Sequence, residues 1–205
     1  MSRVGRLPRV NPFSTRFVEP GALPFRFPTT DCLDTLVGRL EETGGWGQLI
    51  GPHGSGKSTL LAALLPALRA WRRRYVVLNT TNRRLPPWVW DQPPNRCLLV
   101  IDGYEQLGFV TRWRLQRHCR QHGAGLLITA HRSLGLPTLY RTEVTVATAT
   151  AVIASLIPSE GAWVLADFDI AARLRHHRGN LRELLFELYD RWNAGARLGE
   201  PYPGG

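Results

Sequence analysis

Four short apolar runs mark the middle of the chain: GQLI at 47–50, YVVLN at 75–79, CLLVID at 97–102 and GLLITA at 125–130. Most are rich in Val, Ile and Leu on both parities, the pattern of strands buried on both faces of a parallel sheet. A weaker fifth candidate is EVTVAT at 143–148. Before the first run, Thr30 can cap a helix whose apolar positions Leu33, Leu36, Val37 and Leu40 share one side and which ends at Gly44–Gly45. Between the runs lie Lys57–Leu65, the Pro- and Trp-rich RRLPPWVWDQPPNR and the basic Thr111–His122. The Trp-rich piece is short for a helix, so one turn at most is expected around Trp88–Trp90. Strands alternating with crossovers predict an α/β fold with right-handed connections. After residue 148 the pattern is helical through Trp192, with segments near 149–157 and 167–177. In HHRGNLRELLFELYDRW, at 176–192, Leu181, Leu184, Leu185 and Leu188 face one way.

The two ends differ from this middle. Residues 1–28 hold Phe13, Phe17, Phe25 and Phe27 among prolines and arginines without a sustained period. They are expected to form a basic arm lying against a core at 29–147, since four exposed Phe side chains would be costly. A helical subdomain at 148–193 and a Gly/Pro-rich disordered tail at 194–205 complete the expected organisation. Pro8 and Pro12 spoil the amphipathic helix of a transit peptide, the N-terminus lacks the apolar core of a secretory signal, and no run is long enough to span a membrane. A cytoplasmic protein is therefore expected. Cys32, Cys97 and Cys119 stand at unrelated spacings that suggest neither a metal site nor a disulfide framework.

Charge changes the picture in two ways. The formal net charge of +10 invites an anionic partner, DNA or RNA, with arginines clustered at 72–74, 83–84 and 111–122. An arginine-rich solvated surface is the alternative. On a helix from Thr111, Trp113 lies beside Arg117 and Arg120, either as a stacking platform or, the favoured reading, as core packing. The second feature is an exception to this arginine usage: of 26 basic residues, Lys57 is the one lysine.

Lys57 stands in GPHGSGKS, residues 51–58, after an apolar run and before a helical one. Glycines at 51, 54 and 56 let the backbone turn left-handed and approach an anion closely. Past Pro52, successive amides of His53-Gly54-Ser55-Gly56 and the start of the next helix can then line a phosphate. A lysine supplies a compact charge on a flexible stem, whereas a planar guanidinium would need a wider loop. Ser58 offers a hydroxyl to Mg²⁺, and Thr59 one to a phosphate.

This loop resembles the Walker A motif of P-loop NTPases, and LLVID, at 98–102, resembles Walker B. The resemblance implies that the site takes ATP and ADP with Mg²⁺, that Asp102 with Ser58 holds the metal, and that Gly51–Thr59 bind the nucleotide. An intervening strand between the motifs is similar to the branch with sheet order 5-1-4-3-2, which includes the AAA+ and STAND ATPases. There a glutamate usually follows the Walker B aspartate. Here Gly103 does, and the run Asp102-Gly103-Tyr104-Glu105-Gln106 is closer to the form of STAND proteins, making Glu105 the candidate base. Thr129 and His131 stand where the family places its sensor 1 polar group, and Arg132 and Arg141 where arginine fingers are drawn. GNLREL, at 179–184, resembles the opening of the last helix in an AAA+ lid, with Arg182 matching sensor 2.

The expected catalytic set is therefore Lys57, Asp102, Glu105, Thr129 and Arg182. The expected activity is Mg-ATP binding and hydrolysis coupled to conformational change or to assembly as a homo-oligomer or a subunit of a complex. A nucleotide-gated switch of the STAND kind, or a non-catalytic nucleotide-binding subunit, is the alternative.

Overall fold

The computed structural model describes residues 10–28, 30–94 and 96–198, apart from the side chains of residues 160 and 196–198. In chain order the elements are α1 (Thr15–Val18), α2 (Leu33–Glu42), β1 (Trp46–Ile50), α3 (Lys57–Leu64), β2 (Arg72–Val77), β3 (Cys97–Asp102), α4 (Phe109–Gln121), β4 (Gly125–Ala130), β5 (Thr138–Arg141), α5 (Val146–Leu156), α6 (Ile170–His176) and α7 (Leu181–Leu198). Short 3₁₀ turns occur at Leu65–Ala67, Pro87–Trp90, Tyr104–Gln106 and Ser159–Leu165.

All five strands pair in parallel, in the order β5-β1-β4-β3-β2. This is the expected α/β sheet. Its two faces sort by parity. On β3, Leu98 and Val100 face one core, with α2 and α3, while Cys97, Leu99 and Ile101 face the other, with Leu115 and Cys119 of α4. On β4, Leu127 joins the first set and Leu126 and Ile128 the second. Helices cover both faces, so both parities must be apolar, as the runs had implied.

Three element boundaries differ from expectation. The fifth strand is Thr138–Arg141 and not EVTVAT. The Thr145 side chain accepts a hydrogen bond from the Thr148 backbone N–H and caps α5 at Val146, so helix capping overrides the β-branched composition there. Helix α2 starts at Leu33 with extended Cys32 before it, and Thr30 is not its cap. Strand β2 begins at Arg72, earlier than its apolar residues suggest. It is the sheet's edge, where a largely exposed strand tolerates three arginines.

The chain divides into two compact units, residues 24–143 and the paired segments 1–23 and 144–205. The stretch read as one arm over 1–28 is thus shared between them. Phe13 is buried with Trp192, Ile153, Leu184 and Leu188 of the helical unit, ring edge against the Trp192 indole. Phe25 and Phe27 instead pack edge-on to Tyr140 in the sheet unit. Helix α7 runs on through Leu198, past the expected start of a disordered tail at 194, and Gly195 lies close under the Trp163 ring. Residues 1–9 and 199–205 lie outside the described residues. Trp113, expected in the core, is 57% exposed.

One buried polar side chain fixes the loop between β4 and β5. Gln48 is fully buried on β1. Its Nε2, with two protons, lies within hydrogen-bond distance of Ser133 Oγ (2.8 Å), the Leu136 carbonyl (2.7 Å) and Thr138 Oγ1 (3.0 Å), and its Oε1 accepts from the Leu134 N–H (2.9 Å). Such a buried network is stable only while every member is satisfied. Gln48→Leu is predicted to destabilise the protein by about 2 kcal/mol, because it orphans the Leu134 N–H and the Leu136 carbonyl. Urea unfolding measures this, and a midpoint equal to the parent's would contradict the anchoring role.

Candidate nucleotide-binding site

The site lies beyond the carboxyl ends of β1, β4 and β3, neighbours in the sheet, which is where open α/β sheets place ligands. After Ile50 the chain leaves β1 through Gly51–Gly56 and enters α3 at Lys57. Gly54 and Gly56 have φ of +67° and +90°, left-handed values that glycine adopts without strain. Gly51 is required for a different reason. A Cβ there would stand 2.2 Å from Thr142 Oγ1 and 2.5 Å from the Thr142 carbonyl. Ser55 Oγ and Thr142 Oγ1 are 2.5 Å apart, and the Thr142 N–H donates to Ile50 O (2.7 Å), which ties the base of the loop to the residue after β5.

The loop closes around its own lysine. Lys57 is buried, and its Nζ donates to the carbonyls of Gly51 (2.8 Å) and Pro52 (2.7 Å). The same ammonium lies 3.3 Å from His131 Nδ1. Gly56 stands at the N-cap of α3 without a side-chain cap, no acidic residue occupies the first turn, and Ser58 and Thr59 follow Lys57 there. Amides uncapped at a helix start, beside a buried cation, fit an anion.

The acidic half comes from β3 and the turn after it. Thr129, buried on β4, donates its hydroxyl to Asp102 Oδ1 (2.5 Å) and accepts from the Gly103 N–H (2.8 Å). Both hydrogen bonds of that hydroxyl hold the Asp102 carboxylate against the start of the turn. Gly103 has φ +83°, and a Cβ there would lie 2.3 Å from the Leu78 carbonyl oxygen. The backbone therefore excludes a glutamate directly after Asp102, and the next carboxylate arrives at Glu105 on the Tyr104–Gln106 turn.

Glu105 Oε1 pairs with His131 Nε2 at 2.7 Å, while Glu105 Oε2 is buried without a hydrogen-bond partner among the described residues. With Lys57 donating to Nδ1, His131 is an acceptor on one side and an Nε2–H donor on the other, the neutral tautomer. Burial pushes its pKa below the ordinary value against the pull of Glu105, and Lys57 and His53 add to the depression. The His53 ring lies over the His131 ring with centroids 3.6 Å apart. One imidazole thus links the loop lysine to the candidate base.

Lys57, Asp102, Glu105 and Thr129, read from the sequence as one site, stand at these adjoining strand ends. Arg182 is on the exposed first turn of α7, in the helical unit. Arg132 and Arg141 are exposed on the sheet unit. The Lys57–His131–Glu105 linkage and the Ser55–Thr142 contact were not legible beforehand, because their partners lie 26 to 87 residues apart. No family model matches the chain, and no curated protein matches it. Among solved structures it is similar to NtrX from Brucella abortus in complex with ATP, at 14% identity and a TM-score of 0.47, covering 88% of this chain and 52% of that one. The chain spans about half the length of that protein, and a likeness at this level leaves the reading of the site to its own geometry.

Gly103→Glu would put a carboxylate directly after Asp102, as in most AAA+ proteins. It is predicted to lower the melting temperature by several degrees, since a left-handed non-glycine residue costs about 1 kcal/mol or more even before the clash with Leu78. A variant as stable as the parent would overturn this account of Gly103.

Proposed function

We propose that the chain binds Mg-ATP at Gly51–Thr59 and hydrolyses it, coupling the cycle to conformational change or to assembly with further subunits. The observation that carries the reading is the buried Lys57 ammonium, seated on its own loop and joined through His131 to a carboxylate with one oxygen unpartnered among the described residues. In this reading Lys57 leaves the Gly51 and Pro52 carbonyls for the β- and γ-phosphates, exchanging neutral acceptors for charged ones. The backbone amides of residues 53–59, the start of α3 among them, bind the phosphate chain. Ser58 and Asp102 would hold Mg²⁺, with Asp102 fixed in place by Thr129, and the metal would supply positive charge against the phosphate oxygens.

Glu105 then has a defined task. Its Oε2 accepts a proton of the attacking water, whose oxygen bonds to the γ-phosphorus as the bond to the bridging oxygen breaks, leaving ADP and phosphate. The His131 Nε2–H holds Oε1 and orients the carboxylate. Arg182 is proposed as the sensor of nucleotide state in a helical lid formed by residues 148–193.

Glu105→Gln is predicted to bind ATP within about threefold of the parent and to lower turnover by at least 100-fold, in the range of losing a general base. Nucleotide binding by fluorescence and phosphate release at saturating ATP measure the two effects. Parental turnover in Glu105→Gln would remove Glu105 from the mechanism. A parent that binds ATP but releases no phosphate would make the site a nucleotide-gated switch, the reading that Gly103 favoured in the sequence.

A further inference from the structure

We propose that the outer face of α4 binds single-stranded nucleic acid, with unpaired bases on Phe109 and Trp113 and phosphates on Arg114 and Arg117. The inference goes beyond the nucleotide site and does not depend on it. Helix α4 buries Leu115 and Cys119 against the sheet, yet its opposite side leaves Phe109 76%, Val110 66% and Trp113 57% exposed. A scattered exposed apolar residue needs no explanation, but three within five positions, two of them aromatic, form a patch that calls for a partner.

Helical spacing arranges the patch. Phe109, Trp113 and Arg117 follow one ridge at intervals of four, and Val110, Arg114 and His118 follow the next. The Arg117 guanidinium lies 6.0 Å from the Trp113 ring centroid. Trp90, from the Pro87–Trp90 turn, is held beside the second ridge, with the Arg114 guanidinium 5.4 Å from its ring centroid and the His118 ring edge-on at 5.7 Å. Aromatic planes and guanidinium groups therefore alternate across the face.

Charge selects the occupant. From Gln106 through Thr142 the chain has no Asp or Glu, and it carries Arg112, Arg114, Arg117, Arg120, Arg132 and Arg141. Asp91, beside Trp90, is the only carboxylate between Asn79 and Ile101. The N-terminus of α4 adds to the positive field, because Gly108 leaves it without a side-chain cap and its first turn has no acid. A strongly anionic ligand with flat apolar faces matches this surface. Unpaired bases can stack on indole and phenyl rings while phosphates meet the arginines. A duplex keeps its base faces stacked internally and would leave both exposed aromatics idle.

The test is fluorescence anisotropy of a labelled oligothymidylate of about twenty nucleotides, compared with a duplex of equal length, at several salt concentrations. The parent is expected to prefer the single strand. Trp113→Ala and Phe109→Ala should each weaken binding about tenfold, and both side chains are exposed enough for the fold to survive. The double variant Arg114→Glu, Arg117→Glu should bind still more weakly, with a salt slope shallower by about 1.4, two phosphates at roughly 0.7 each. ATP affinity should be unchanged in all of them. Three results would overturn the proposal: no binding by the parent at low salt, binding that the aromatic variants leave intact, or self-association of the parent that Phe109→Ala abolishes without any nucleic-acid binding. The last would identify the face as a contact between copies of the chain.

Discussion

An ammonium taken out of water is tolerable only where oxygen atoms replace its hydration, and Lys57 meets that condition by folding back on the carbonyls of Gly51 and Pro52. The desolvation of such an ion costs several kcal/mol unless its protons find acceptors. That requirement bears on the neighbouring structure. The loop must bring two successive carbonyls to one point, which its left-handed glycines permit, and Gly51 must lie flat against Thr142. The third contact, His131, carries the influence of the lysine across the site to Glu105. In the proposed cycle, phosphate competes for the same ammonium, so nucleotide binding and the setting of the base are linked by one side chain.

Parallel strand order explains why these groups meet. Strands β1, β4 and β3 are adjacent, so the loop after β1, the His131 turn after β4 and the Asp102–Glu105 turn after β3 open on one edge of the sheet. Two buried polar anchors steady them from below. Gln48 holds the loop that follows His131, and Thr129 joins Asp102 to the Gly103 amide. Both spend hydrogen bonds inside the core, where geometry is least free to drift.

How much could be read from the sequence depended on how local the determining interactions are. The apolar runs at 97–102 and 125–130 gave their strands residue for residue, because strands covered on both faces need no partner's pattern to be recognised. The glycine loop with its lysine was legible for the same reason, its chemistry being contained in eight consecutive residues. Strand β5 was misread because β-branched EVTVAT outscores TLYR in propensity, while the choice was made by the Thr145 cap and by pairing with β1. Gly103 looked like a missing glutamate; its cause is a backbone contact with Leu78, 25 residues earlier, which no local pattern encodes. Trp113 was assigned to the core because a tryptophan usually belongs there, and its exposure became informative only once the opposite side of α4 was seen to be filled by Leu115 and Cys119.

The composition of the chain supplies a direct probe of the central interaction. Since Lys57 is the only lysine, labelling with ¹⁵N-lysine gives a single side-chain ammonium resonance with no assignment to make. If the ammonium is seated on its own carbonyls and is then taken over by phosphates, that resonance should be visible and slowly exchanging in the nucleotide-free protein. Added Mg-ATP should shift it to a new position with one-to-one saturation. A lysine signal that exchanges freely with water and does not move at millimolar Mg-ATP would contradict the account at its foundation.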